Sequence, residues 1–364
     1  MQINRRTMVR ATGGLACAFP VVHGLQKLCA QERADQVRPS AIRIGQIGVG
    51  HAHATKLSVY RDSTDYEVVG IVEPDAALRQ AAERLPAFQD RPWMTEEQLL
   101  NTPDLQAVLV ETHVRDSLAT AGRCIAAGKH VHLDKPAGDS LPEYRRLLGQ
   151  AEQQRLMVQM GYMYRYNPAV QLLREFLQQG WLGEIFEVHT VMSKVVNAGS
   201  RQELAEFPGG MMFELGCHVI DLVVGVLGAP TKVTPFAQHA SSLQDGLADN
   251  MLAVFEYPRA TATVKTSAME VEGFARRHLV VCGSQGTFHI QPLDNPSVKV
   301  ALDAPRGTYS AGYQELSFPK FMRYVADAGD MARVIRGEAE CQFSYAHDLA
   351  VQTAVLEAGQ MRLS

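Results

Sequence analysis

Between residues 41 and 161, short apolar runs alternate with stretches of helical period. The runs are IRIGQIGVG (42–50), YEVVGIVEP (66–74), LQAVLVET (105–112), KHVHLD (129–134) and RLMVQMG (155–161). Runs this short and this continuously apolar read as strands buried on both faces. Stretches such as SLATAGRCIAAG (117–128) read as the crossover helices between them. The alternation predicts a mostly parallel sheet sandwiched by helices, with ligands at the carboxyl ends of its strands.

After residue 161 the period changes. GYMYRYNPAVQLLREFLQQGWLGEI (161–185) reads as a loop and a helix, with Asn167-Pro168 as cap and first residue and Gly180 as the stop. Period-two runs follow at 185–196, 250–258, 260–270 and 276–292. They predict an antiparallel sheet with one solvated or partner-covered face. One helix, around 210–227, interrupts them, and 318–362 is mainly helical.

The first strand-turn adds chemistry. Gly48-Val49-Gly50 matches the start of G-x-G-x-x-G between a strand and a helix, where the backbone approaches a pyrophosphate at the helix N-terminus. Glu73 closes the second strand at about the distance where a carboxylate accepts the ribose hydroxyls. Such an acid favours NAD over NADP, and Arg79 keeps NADP open. His53 stands at the third glycine position, so the helix is expected to start farther from the strand. The expected class is α/β: an N-terminal Rossmann dinucleotide-binding domain (41–161), then a C-terminal α+β domain (162–364) with a large, mostly antiparallel open sheet.

Composition narrows the partners. The chain has 364 residues, enough for two domains, and a formal net charge of −4, which argues against nucleic acid and anionic membrane. Six Cys without C-x-x-C indicate neither a zinc finger nor a disulfide framework. Cys124, Cys217, Cys282 and Cys341 sit in patterns that read as core. Residues 1–40 are set apart as signal and linker. Arg5 and Arg6 precede Met8-Val9, Arg10 and a Gly-interrupted apolar run, the pattern of a twin-arginine export signal with a cleavage site after Ala30. That run is too short to span a membrane. A periplasmic location follows, or a cytoplasmic one if the segment is an uncleaved N-terminus.

Two further constellations carry reactive groups. The strand at 129–134 runs into Asp134-Lys135-Pro136, where proline ends the ladder and leaves an ammonium at the ligand-binding edge. In GGMMFELGCHVIDLVVGVLG, Glu214, His218 and Asp221 are spaced i, i+4, i+7, which on an α-helix puts them on one face. Ionisable groups on an apolar helix are costly to bury unless paired or used. A zinc site would lack a second His or Cys at ligand spacing, and a core histidine satisfied by Asp221 is the structural alternative. His51 and His53 also form a ligand-like pair, but a phosphate-binding turn favours cofactor contact over metal, so no metal is expected.

The segments GQIGVG, GKHVHLDKP, GYMYRYNP, GGMMFELGCHVIDL and VVCGSQGTFHI, with the final helical segment, resemble the Gfo/Idh/MocA oxidoreductases in order over residues 41–362. The resemblance implies NAD(P)-linked hydride transfer on a sugar, polyol or related secondary alcohol, and a homodimer or homotetramer built through the open sheet. The family's E-K-P falls on Asp134, Lys135 and Pro136, and its D-x-G-x-H-x-x-D on Glu214, Gly216, His218 and Asp221. Where the family often has T-P-x-x-x-H, this chain has Thr112, His113 and, at the last position, Ser117. The roles implied are His218 as general base, Lys135 as partner of the reacting oxygen, and Glu214 and Asp221 as orienting groups. Gly48, Gly50, His51, His53, Glu73, Thr112, Asp134 and Lys135 are the expected cofactor contacts. Tyr162, Tyr164, Arg165 and Asp221 are the expected substrate contacts, with packing at the domain junction as the equal alternative for the first three. An exported glycosidase using NAD transiently and a non-catalytic sugar- or cofactor-binding relative are the other readings of the same residues.

Overall fold

A computed structural model describes residues 40–364; the expected export signal and cleavage site lie outside the described residues. Six strands form the first sheet: β1 (Ile42–Ile47), β2 (Tyr66–Val72), β3 (Trp93–Met94), β4 (Ala107–Val110), β5 (His130–Leu133) and β6 (Val158–Met160). Their order is β3-β2-β1-β4-β5-β6, all parallel. The order reverses beside β1, and a crevice opens at that switch point between the carboxyl ends of β1 and β4. Gly48, Glu73, Glu111 and Asp134 each follow the last residue of a strand, so one edge of the sheet collects all four. The turn after β1 leads into a short 3-10 segment, Ala54–Lys56, and only then into the helix Leu57–Asp62. That is the later start that a histidine at the third glycine position implied.

The chain leaves β6 through Gly161 and a 3-10 turn, Met163–Tyr166. It then enters the helix Pro168–Gln178, whose N-cap Asn167 accepts from the Ala169 N–H at 2.9 Å. The second sheet holds β7 (Ile185–Val191), β8 (Lys232–Gln238), β9 (Asn250–Glu256), β10 (Thr261–Ser267), β11 (His278–Gly283), β12 (Gly286–Ile290), β13 (Ser297–Leu302) and β14 (Gly312–Ser317). Its order is β14-β13-β12-β11-β7-β10-β9-β8, antiparallel except for β7 beside β10. One face carries Val188, Val264, Val281, Phe288 and Val300, all buried. The helices Cys217–Leu227 and Tyr345–Ala358 pack together on that side. Each such side chain contributes about 1.5–3 kcal/mol by leaving water.

Several boundaries differ from the periodic reading. The run 276–292 is a hairpin turned at Gly283–Gly286, and β7 stops at Val191. The strands β8, β13 and β14 lie outside those periodic runs, although β13 alternates over its six residues, and no residue of β14 is buried. Of the four cysteines read as core, Cys124 and Cys217 are buried, but Cys282 is half-buried on the sheet's other face and Cys341 is exposed in a loop.

Candidate functional site

The crevice is built where the backbone can come closest. Gly48 has φ +91°, and a Cβ there would lie 2.6 Å from the Thr112 nitrogen, so only glycine lets the β1 turn pass against the end of β4. At Gly50 a Cβ would meet the His113 ring at 2.9 Å. Glu73 braces the turn: one carboxylate oxygen accepts from the Val49 N–H at 2.9 Å, the other from the Asp75 N–H at 2.9 Å. Each oxygen keeps a lone-pair position for a further donor. Beside them lies a cavity of about 750 Å³ whose lining includes Gly48, Gly50, Glu73, Arg79, Trp93 and Thr112. Its volume, close-approach backbone and strand-end acid fit a dinucleotide.

Lys135 lies beyond that cavity and is buried. Its ammonium donates to the Glu214 carboxylate at 2.7 Å and to the Glu214 carbonyl at 3.0 Å, which leaves one of its three N–H bonds free. Burial opposes its charge, but Glu214 outweighs that and holds the ammonium pKa above its usual value. Burial likewise acts to raise the Glu214 pKa, and Lys135 reverses the sign to a net lowering. The pair is therefore ionised in the neutral range.

Glu214 makes no hydrogen bond to His218; its carboxylate is taken by Lys135. Residues Met212–Gly216 form a π turn, and the α-helix proper begins at Cys217. Such turns recur at functional sites. His218 is walled instead by Tyr164 (ring centroids 5.4 Å), His53 (6.0 Å) and Tyr162 (6.3 Å). Its Nδ1 is buried and has no partner among the described residues. Burial, then the Lys135 charge, hold its pKa well below the usual range, so the ring is neutral.

Asp221 faces away from this cluster. It takes a two-oxygen grip from Arg165 (2.6–3.1 Å) and lies 3.3 Å from His347, while Arg165 also reaches Asp348 at 2.6 Å. Both Arg165 and Asp221 are buried and spend their charges on each other, which for Arg165 is the packing role held as the equal alternative. Tyr162 and Tyr164 are buried too, and the Tyr164 hydroxyl donates to Asp294 at 2.6 Å. Ser117, at the position of the family's histidine, donates to the Val114 carbonyl at 2.8 Å.

Beneath Lys135 is a group the sequence did not single out. The Lys56 ammonium is buried among Asp134, Glu111 (3.0 Å) and His132 (2.9 Å). Glu111, His132 and Asp134 offer ligand atoms within 4.8 Å of one another, and the ammonium of Lys56 already bonds His132 and Asp134 and pairs with Glu111. Asp134 also accepts from the Lys135 N–H at 2.7 Å and lies 3.2 Å from His53 Nδ1 and 3.4 Å from His51 Nδ1. Burial would raise the Asp134 pKa, but the cations around it hold it well below the carboxylate range. A signal was present: Glu111 and His132 are polar residues in strand runs buried on both faces, which is costly without partners.

Residues 42–162 match an oxidoreductase family with an NAD-binding Rossmann fold, and residues 170–289 match the GFO/IDH/MocA C-terminal domain. The chain is 25% identical over 224 residues to the trans-1,2-dihydrobenzene-1,2-diol dehydrogenase of Bos taurus, a match spanning 60% of this chain and 65% of that one, just under two thirds of the relative's length. An oxidoreductase from Agrobacterium radiobacter, solved in complex with NAD+, L-tartaric acid and magnesium, superposes with a TM-score of 0.73 at 16% identity, covering 87% of this chain and 96% of that one. The UDP-N-acetylglucosamine 3-dehydrogenase of Acidithiobacillus ferrooxidans superposes with a TM-score of 0.72 at 20% identity, covering 87% and 96%. At these identities the superpositions show the fold alone.

Proposed function

The chain belongs to the Gfo/Idh/MocA oxidoreductases, and on that basis we propose that it oxidises a secondary alcohol of a sugar, polyol or similar diol with NAD. The observation that carries this reading is the Lys135 ammonium. It is buried at the carboxyl end of β5, ionised against Glu214, and has one N–H unspent beside the neutral ring of His218. Gly48, Gly50, Glu73 and Thr112 would hold the cofactor, which when bound supplies the hydride acceptor. The free N–H of Lys135 binds the reacting oxygen and stabilises negative charge as the carbinol C–H is lost. His218 accepts a hydrogen bond from a neighbouring hydroxyl of the substrate, and the walls of Tyr162 and Tyr164 keep water from it. The dehydrogenase names of the relatives support the substrate class. Lys135→Ala should lower kcat by about 10²-fold or more while leaving cofactor affinity within a few-fold. Near-full turnover in that variant would remove Lys135 from the chemistry.

Two further proposals rest on sequence and surface. Arg5 and Arg6 support export in the folded state, which fractionation of cells carrying the full chain or an Arg5→Lys, Arg6→Lys variant tests. A cytoplasmic full-length protein would refute it. The second sheet leaves Phe236 and Tyr313 exposed, with Val280 half-buried among polar neighbours. A homo-oligomer covering this face is expected, and a monomer by light scattering would refute it.

A further inference from the structure

Resting on the proposed alcohol oxidation, we propose that His53, held by Asp134, is a second acid–base group: it takes the substrate's hydroxyl proton and passes it to solvent. His53 Nδ1 lies 3.2 Å from Asp134 Oδ1. The other Asp134 oxygen is bound by the Lys56 ammonium, and the Lys135 N–H donates to Oδ1, so the carboxylate is fixed on both sides. An ionised carboxylate only accepts, so the hydrogen between the two residues belongs to His53 Nδ1. That leaves a lone pair on Nε2, the arrangement by which a carboxylate orients an imidazole base. Nε2 has no hydrogen-bond partner among the described residues, and the side chain is 17% exposed.

His218 is less able to hold a proton. It hydrogen-bonds no carboxylate, it is buried, and the Lys135 charge opposes its protonation. The groups facing His53 are Asp134, the His51 ring (5.0 Å), which despite burial Asp134 holds protonated with a pKa raised to about 9, the rings of Tyr324 (5.7 Å) and His218 (6.0 Å), and the Lys135 charge. Burial lowers the His53 pKa to about 4, with Asp134 as the largest opposing influence. His53 is therefore neutral and ready to accept in the physiological range. In the step, the substrate O–H bond breaks and its proton bonds to His53 Nε2. The electron pair left on oxygen forms the carbonyl as the carbinol hydride passes to the oxidised nicotinamide cofactor. Asp134 stays ionised opposite the new imidazolium.

The test compares His53→Gln with His218→Gln in the full chain. Expected for His53→Gln are a fall in kcat of about 10²-fold or more, loss of the acid limb of the pH profile, and cofactor affinity within about threefold of wild type by Trp93 fluorescence. His218→Gln should keep that limb. An acid limb that survives in His53→Gln, or a His53→Gln variant whose only defect is weak cofactor binding, overturns the proposal. A wild-type protein that oxidises no alcohol sinks the proposed function instead. In that event the nitrogen NMR shifts of His53 still decide the tautomer: an Nε2–H ring at neutral pH overturns the assignment, and an Nδ1–H ring upholds the dyad.

Discussion

Replacing Lys56 by methionine removes one buried ammonium and keeps the side chain's length. It leaves Glu111 and Asp134 facing each other across the lost charge, and it strips His132 Nε2 of its donor. Breaking a buried ion pair by removing one partner costs about 3–5 kcal/mol. With an unfolding entropy of roughly 2.1 cal/mol/K per residue over ~325 ordered residues, the loss corresponds to a Tm about 4–7 °C lower. The deficit should depend on pH. Without Lys56 the two carboxylates share a proton, which raises the folded pKa of the pair above its unfolded value. A group raised in this way contributes stability below its unfolded pKa and loses it as pH rises through the folded one. The gap from wild type should therefore widen from pH 5 to pH 8. The double variant Lys56→Met, Glu111→Gln should recover part of the loss. Thermal unfolding by circular dichroism at three pH values checks all of this. A single variant within about 1 kcal/mol of wild type at every pH would refute the view that Lys56 neutralises the two acids.

Other consequences follow from the same geometry. Glu73→Ala should weaken NAD binding by about 1.5–3 kcal/mol, the worth of charge-assisted hydrogen bonds to ribose, and narrow its preference over NADP. Titration of Trp93 fluorescence reads both, and a wild type that binds NADP more tightly than NAD would overturn the assignment. Acid should unfold the protein early. Burial lowers the pKa of His53 and His278 to about 4, of His132 to about 3, and of His218 well below its usual value. Each binds a proton only when unfolded between about pH 6.5 and its folded value, so each costs about 1.4 kcal/mol per pH unit as pH falls through that window. Urea midpoints that stay level from pH 7 down to pH 5 would contradict this.

What could be read along the chain was whatever short-range pattern decides. The Gly48–Gly50 turn, Glu73 and Lys135 each follow an apolar run, so strand-end position and spacing were enough to bring them to one edge of a parallel sheet. Pairings set by distant packing were hidden. Arg165 and Asp221 are 56 residues apart and close only when the second domain folds. Lys56 reads as an ordinary helix-surface lysine until β4 and β5 bring Glu111, His132 and Asp134 around it. The π turn at Met212–Gly216 has no periodic signature, and Glu214 within it pairs with Lys135, a residue 79 positions away. The edge strand β14 was missed because the pattern of a half-buried sheet fades where nothing is buried.

The most direct test follows one hydrogen. The protein, supplied with NAD, is incubated with sugars and polyols carrying deuterium at their secondary carbinol carbons, and the cofactor is examined by mass spectrometry. Deuterium should arrive at C4 of the nicotinamide for at least one substrate, whether or not reduced cofactor accumulates, and Lys135→Ala should abolish the transfer. Deuterium that never reaches the cofactor from any secondary alcohol, in a protein that binds NAD, would contradict hydride transfer as the work of this site.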